Sequence, residues 1–227
     1  MDTNDLLNYT PGAVKAVNQK VNELLLKHED TAKDVAVDPS VDIMKIAKAC
    51  GINEVILVPP SQLGGKHAVV ENGVVKIDEN DAEGQRLFDL AHEVGHIVFN
   101  QITHMDIVVK FENTSYILQS TKYKAARHGT KRKSELPPGE REIEDFIDHF
   151  AANLLIPINR FQLWEDKTDK EIAEAFKVEE KCIKKRRQEV VYEVSILTSE
   201  MKPCSAETIS DPNVNLNIEN ILKDIDS

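Results

Sequence analysis

The sequence predicts an α+β protein in which a small β-sheet is combined with several helices. Two β-branched runs flank Asn72-Gly73, which is the strongest short signal for a β-hairpin. Residues 82–100 and 140–156 repeat apolar side chains at helical spacing, and residues 168–194 indicate two further helices. The hairpin and the helical periodicity together favour this fold class.

The N-terminal half supplies the strands. Residues 12–28 predict an amphipathic helix after Pro11. Its apolar side carries Val14, Val17, Val21, Leu24 and Leu25. Ser40 is the predicted N-cap of a short helix over 41–50 that ends at Gly51. The run EVILVPP predicts a strand that its prolines end, and HAVVENGVVKID predicts the hairpin.

The C-terminal half is mainly helical. We expect two short strands within 106–119, a basic loop at 121–133, and a helix over 140–156 that ends at Pro157. The predicted division of the chain is an N-terminal helical segment, a core with an inserted segment, a helical extension and a polar tail. These parts cover 1–39, 40–160 with the insertion at about 101–138, 161–200 and 201–227.

Composition excludes several classes of protein. The chain has 227 residues, of which 41% are hydrophobic and 30% charged, so it can form a packed core. A net charge of −11 argues against a general binder of nucleic acid or anionic membranes. Cys50, Cys182 and Cys204 lack the paired spacing of a disulfide framework or zinc knuckle. With no signal peptide or membrane-length apolar run in the sequence, the expected compartment is the cytoplasm.

The stretch LFDLAHEVGHIVFN, residues 87–100, carries the chemistry. His92 and His96 are four residues apart, so on a helix both imidazoles can face one point. Glu93 lies beside the first histidine. Two neutral imidazoles on zinc, with a neighbouring glutamate as general base, form the zincin arrangement. The alternative is a half-buried helix, whose histidines would need other partners for their nitrogens.

A catalytic zinc site needs a third protein ligand. The best candidate is Glu144 in EIEDFIDHFAANLLIP, because it shares a helix face with Asp148 and Ala151. Asp148 is placed to accept the spare N–H of a ligating histidine. Ala151 is small enough to let two helices approach closely. Glu142 and Asp145 are expected to form a solvated face.

These two segments together resemble the ImmA/IrrE metallopeptidases. RLFDLAHEVGH is similar to that family's lead into HExGH, and the following pattern ExxxDxFAxxLLIP is similar to its second helix. The resemblance covers roughly residues 40–160. It implies a zincin-like core in which His92, His96 and Glu144 bind the metal and Glu93 is the catalytic base. The implied metal is zinc, with manganese as the alternative.

The resemblance also implies a biological role. Family members are endopeptidases that cut helix-turn-helix repressors, often in stress responses, and so relieve repression of transcription. Three departures from the family pattern are visible: Ile147 in place of alanine, Asp148 in place of asparagine, and a long interval between His96 and Glu144. The inserted strands and basic loop account for that interval.

Features outside the motif leave alternatives open. Residues 169–189 resemble a helix-turn-helix with Lys177 at the turn, and serve either as a packing or docking unit or to contact DNA. DNA contact is disfavoured because Glu179 and Glu180 would face phosphates. The run Lys184–Arg187 is read as a solvated helix face. The 121–133 loop is either a connector or a surface that steers an acidic partner or nucleic acid.

The sequence therefore predicts a metal-dependent endopeptidase that acts on a protein, with no membrane partner. The strand near 74–79 is expected to pair with extended substrate. His104, His128, Tyr116 and Tyr123 are candidates for stabilising the oxyanion, with no choice among them. The competing hypothesis is a regulatory module that binds DNA or protein around a structural metal. Glu93 favours the enzyme, because a purely structural site has no need of a base.

Overall fold

The computed structural model describes residues 11–29, 33–101, 107–111, 114–118 and 140–199. Seven helices and five strands occur in this part of the chain. In chain order they are α1 (Pro11–His28), α2 (Ile43–Ala49), β1 (Glu54–Val58), β2 (Ala68–Glu71), β3 (Val74–Asp78), α3 (Glu83–Gln101), β4 (Ile107–Phe111), β5 (Thr114–Leu118), α4 (Glu140–Leu155), α5 (Ile158–Gln162), α6 (Asp169–Phe176) and α7 (Glu180–Ser199). The predicted α+β class is confirmed.

The main sheet has the strand order β1-β3-β2. Strand β1 runs parallel to β3, with Val55 opposite Val75, and β2 runs antiparallel to β3, with Val70 opposite Val75. Because β3 is the middle strand, both of its edges are already paired. The expectation that residues near 74–79 pair with substrate is therefore wrong. The sheet edges belong to β1 and β2, and β4 and β5 form a separate antiparallel pair.

The hairpin turn is the one that the sequence predicts. Asn72 and Gly73 have φ of 53° and 79°, which is the left-handed pair of a tight two-residue turn. Gly73 is also required by space, since a Cβ there would lie 2.7 Å from the Asn53 side chain. The backbone N–H of Asn53 donates to the backbone carbonyl of Gly73 at 2.7 Å, so the turn is fixed against the start of β1.

Helix α1 buries the predicted apolar face in the common core. The start of α2 differs from the prediction, because its N-cap is Asp42 and not Ser40. The Asp42 carboxylate accepts a hydrogen bond from the backbone N–H of Lys45 at 3.1 Å. Ser40 instead donates its hydroxyl to Asp38 at 2.6 Å, so a different polar contact occupies its side chain.

Helix α7 contains the clearest departure from sequence expectation. Arg186 belongs to the basic run that the sequence predicts to be a solvated helix face, yet its side chain is 0% exposed. Its guanidinium donates to Glu193 at 2.5 Å and to the side-chain oxygen of Asn153 at 2.7 Å. A third bond reaches the carbonyl of Ile156 at 3.0 Å. Arg186 therefore joins α7 to the end of α4 through buried ionic and polar contacts, and periodicity of charge alone could not show this.

The predicted pair of C-terminal helices is present as α6 and α7. A capping box of Thr168 and Glu171 begins α6, and Lys177 ends it in the left-handed conformation with φ of 59°. The short helix α5 after Pro157 was not expected. Its Arg160 binds the Glu29 carboxylate at the end of α1. Whether α6 and α7 act as a helix-turn-helix stays a prediction.

Some predictions fall on the parts of the chain that the structure does not describe. They concern the 121–133 basic loop, Cys204 and the polar tail from residue 201. Within the described ranges, none of the helices combines the length and the apolar character needed to cross a membrane.

Candidate metal centre

Helices α3 and α4 bring His92, His96 and Glu144 together. The Nε2 atoms of the two histidines are 2.9 Å apart. Oε2 of Glu144 lies 3.2 Å from Nε2 of His92 and 3.6 Å from Nε2 of His96. Ligand atoms each about 2.1 Å from a tetrahedral ion are roughly 3.4 Å from one another. The three separations bracket that value, so this donor set fits one small divalent metal.

Asp148 lies on the other side of the His92 ring. Its Oδ1 is 2.8 Å from Nδ1 of His92, so an Nδ1–H donates to the carboxylate. That hydrogen bond directs the lone pair of Nε2 toward His96 and Glu144. A carboxylate behind a histidine in this way is the usual support for a metal ligand. The structure thus separates the positions of Glu144 and Asp148, which helix spacing alone leaves on one face.

Gly95 explains how α3 and α4 come close enough to bring these side chains together. A Cβ at this position would lie 2.9 Å from Cγ2 of Ile147 and 2.9 Å from Cδ1 of Phe150. Both neighbours are buried residues of α4. The close approach is therefore documented at Gly95. Ala151 of α4, where the sequence also predicts a close approach, is fully buried in the core.

Gly95→Ala tests whether this contact sets the ligand geometry. The methyl group has no room beside Ile147 and Phe150, so those side chains or the helices that carry them must shift. We expect overpacking to cost about 1–3 kcal/mol of unfolding free energy, partly offset by about 1 kcal/mol from replacing glycine inside a helix.

The more specific readout for Gly95→Ala is metal affinity, measured by competition with a chelating dye. We expect weaker binding with little change in secondary structure by circular dichroism. Neither Gly84 nor Gly51 serves as a control, because a Cβ at Gly84 would meet backbone at 3.0 Å and Gly51 has a φ of 97° that strains any other residue. Unchanged metal affinity in Gly95→Ala would contradict a role for this contact in ligand placement.

The electrostatics of the centre favour a cation. Burial works to lower the pKa of His92, but hydrogen bonds to Asp148 and Glu144 outweigh it and raise the pKa to about 10. Burial works to raise the pKa of Glu144, yet its contacts with His92 and His96 lower it well below the usual range. Both pKa shifts indicate that the Glu144 and Asp148 carboxylates stabilise positive charge at the histidines. A bound metal would supply that charge in place of a proton.

Glu93 lies on α3 directly after His92 and is only 7% exposed. Its carboxylate is near enough to contribute to the raised pKa of His92. A general base acts on water beside the metal, so Glu93 need not contact the three converging ligand atoms directly. Its position is compatible with that role.

Two other groups of ligand-type side chains occur in the described part of the chain. His67, Asp81 and Asp89 form one, and His149, Glu189 and Glu193 form the other, which is buried beside Arg186. Neither His67 nor His149 belongs to a recognisable ligand motif in the sequence, so both are expected to be structural or exposed. The sequence does carry a signal for Asp89, which is an acidic residue inside the largely apolar run LFDLAHEVGH. Burial raises its pKa to about 6.

The candidates for stabilising the oxyanion stay untested. His104 and His128 lie outside the described residues, as does Tyr123, and only the backbone of Tyr116 is described in β5. The side chain of Glu142 is likewise not described. Asp145, one residue after Glu144, is half-buried.

Comparison with known proteins adds one finding. Residues 51–187 match the family described as Peptidase_M78, the IrrE N-terminal-like domain, and this span is more than half of the chain. It includes the three-stranded sheet, the two helices of the candidate centre, α6 and the first part of α7 up to residue 187. A search of curated proteins finds no match.

Proposed function

The chain belongs to the Peptidase_M78 family, and from that premise we propose that it is a metal-dependent endopeptidase. The metal would be zinc, with manganese as the alternative, held by His92, His96 and Glu144. The catalytic base would be Glu93, and the group that orients His92 would be Asp148. The cytoplasm is the proposed compartment.

One observation carries the proposal. Three ligand atoms from two helices lie 2.9, 3.2 and 3.6 Å from one another, and the first histidine is oriented from behind by a carboxylate at 2.8 Å. Catalytic zinc sites have three protein ligands and keep a fourth position open. A set of two histidines and one glutamate leaves that position free for water or substrate. A site closed by a fourth protein ligand would favour a structural role.

The residues divide the chemistry among them. A divalent metal in this position supplies Lewis-acid chemistry, polarising the scissile carbonyl and lowering the pKa of water to about 7. Glu93 takes the proton of the attacking water and returns it to the leaving nitrogen, which completes hydrolysis of the amide bond. Asp148 holds His92 in the tautomer whose Nε2 is free to ligate. The buried position of Glu93 limits competing contact with solvent.

The proposed substrate is a helix-turn-helix transcriptional repressor, whose cleavage would relieve repression in a stress response. Family membership supports a protein substrate. Main-chain pairing with a sheet edge is a general way to hold an extended peptide, and β2 offers such an edge beside α3, since β3 already has two neighbours. Direct binding of nucleic acid is not part of the proposal.

The test is a cleavage assay with the metal-loaded full chain and a purified helix-turn-helix repressor, analysed by mass spectrometry of the fragments. Where a small helix-turn-helix repressor is encoded beside the gene for this chain, that repressor is the first substrate to try. We expect one defined cut that depends on added Zn²⁺ or Mn²⁺ and is abolished by a chelator. Metal binding without cleavage of any repressor or unfolded protein would favour the competing regulatory module.

A further inference from the structure

We propose a second divalent-metal site, formed by His67, Asp81 and Asp89, that fastens the start of strand β2 to helix α3. It is separate from the centre of His92, His96 and Glu144 and does not depend on the proposed peptidase function. The ligand class is a transition-metal dication such as Zn²⁺ or Mn²⁺.

The three side chains come from separate parts of the fold. His67 directly precedes β2, Asp81 lies between β3 and α3, and Asp89 is in the second turn of α3. One ligand atom from each lies within 4.8 Å of the other two. Nδ1 of His67 lies 3.0 Å from Oδ2 of Asp81. The three side chains therefore converge on one point.

Asp89 is the observation that points to a ligand. Asp89 is buried, with an exposed fraction of 7%. Oδ1 accepts a hydrogen bond from the side-chain amide of Gln85 at 2.8 Å, but Oδ2 has no hydrogen-bond partner. A buried carboxylate oxygen without a partner costs free energy. A cation bound by this group would offset the charge of the buried carboxylate and would supply the partner that Oδ2 lacks.

Access and donor chemistry suit an exchangeable ion. The side chain of His67 is 67% exposed, and that of Asp81 is 16% exposed, so the site opens to solvent on the His67 side. One imidazole and two carboxylates match the preferences of zinc and manganese, whereas calcium and magnesium prefer oxygen ligands alone. Three protein ligands leave positions for water. The exposed histidine can adjust to bring all three atoms to bonding distance.

The position of the site gives it a consequence for the neighbouring centre. Asp89 is three residues before His92 and four before Glu93 on the same helix, so it lies one turn away on the same side. A dication there would place positive charge near Glu93 and would fix the start of edge strand β2 against α3. The backbone N–H of Asp78 already donates to the His67 carbonyl at 2.9 Å, which anchors the same corner.

The experiment counts bound Zn²⁺ by equilibrium dialysis of the full chain in two backgrounds, one with the first centre intact and one carrying His96→Ala. In each background we expect His67→Gln to remove one equivalent of metal. Asp89→Asn keeps the size of the side chain and the contact with Gln85, and should remove the same equivalent. In the His96→Ala background, Mn²⁺ should also broaden the NMR signals of the His67 ring.

The matched control is His28→Gln, a histidine at the end of α1 that belongs to none of the three ligand groups. It should leave the number of bound ions unchanged. Equal metal content with and without His67→Gln in both backgrounds would overturn the proposal, as would loss of the ion in His67→Gln but not in Asp89→Asn. Because the count is repeated with His96→Ala, failure of the first centre to bind metal is distinguished from failure of this one.

Discussion

Glu93→Gln is expected to abolish proteolysis while leaving the metal in place. The amide has nearly the size of the carboxylate but cannot accept the proton of the attacking water. Loss of a positioned general base typically lowers rates by about 10²–10⁴-fold, and Glu93 is proposed to act in both proton transfers. The measurement is the rate of repressor cleavage, together with metal content by elemental analysis. His92, His96 and Glu144 are unchanged in the variant, so metal content should match wild type.

The matched control for this substitution is Glu83→Gln. Glu83 is an exposed residue in the first turn of the same helix, and so the exchange alters charge on α3 without touching the centre. It should cleave at the wild-type rate. Wild-type cleavage by Glu93→Gln would remove Glu93 from the mechanism. Loss of metal in Glu93→Gln would indicate a role in holding the site and not in proton transfer.

The sequence was sufficient for the elements whose signals are local. The Asn72-Gly73 turn was predictable because few residue pairs adopt two successive positive φ angles. The helix that carries HExxH was predictable because its apolar residues and its two histidines both recur at the spacing of an α-helix. His92 and His96 converge for the same reason, since residues four apart on a helix are neighbours.

Long-range features were less accessible from one sequence. The parallel pairing of β1 with β3 places β3 in the middle of the sheet, and no local pattern distinguishes a middle from an edge strand in so short a hairpin. Arg186 looks like any member of a basic run until Asn153 and Glu193 are brought to it by the fold. Asp89 cannot be recognised as part of a ligand group from one sequence, because His67 and Asp81 come from other segments of the chain.

The family pattern contributed what local physics could not. Spacing placed Glu144 and Asp148 on one helix face but did not rank them as metal ligands. The resemblance assigned Glu144 to the metal, and the structure places the two carboxylates on opposite sides of the His92 ring, at Nε2 and Nδ1. Each can contact His92, but the Glu144 carboxylate also lies 3.6 Å from His96.

Glu144→Ala is therefore expected to lose the metal, whereas Asp148→Asn should keep it. Removing Glu144 leaves two histidines, which hold zinc poorly. The asparagine oxygen can still accept the Nδ1–H of His92, so the ring keeps its orientation. Loss of an orienting group typically weakens metal affinity or activity by about 10–100-fold. A titration with a metal-indicator dye, followed by the cleavage assay, measures both effects.

Two further variants make the comparison decisive. His96→Ala removes a histidine ligand and should match Glu144→Ala in metal loss. Asp145→Ala changes the neighbouring carboxylate, which is absent from the group of converging ligand atoms, and should retain metal and activity. Since Glu144 and Asp148 have similar side-chain exposure, 17% and 22%, a difference between them reflects chemical role and not burial. If Asp148 proves essential for metal while Glu144 does not, the third ligand comes from the opposite side of the His92 ring and the proposed centre is wrong.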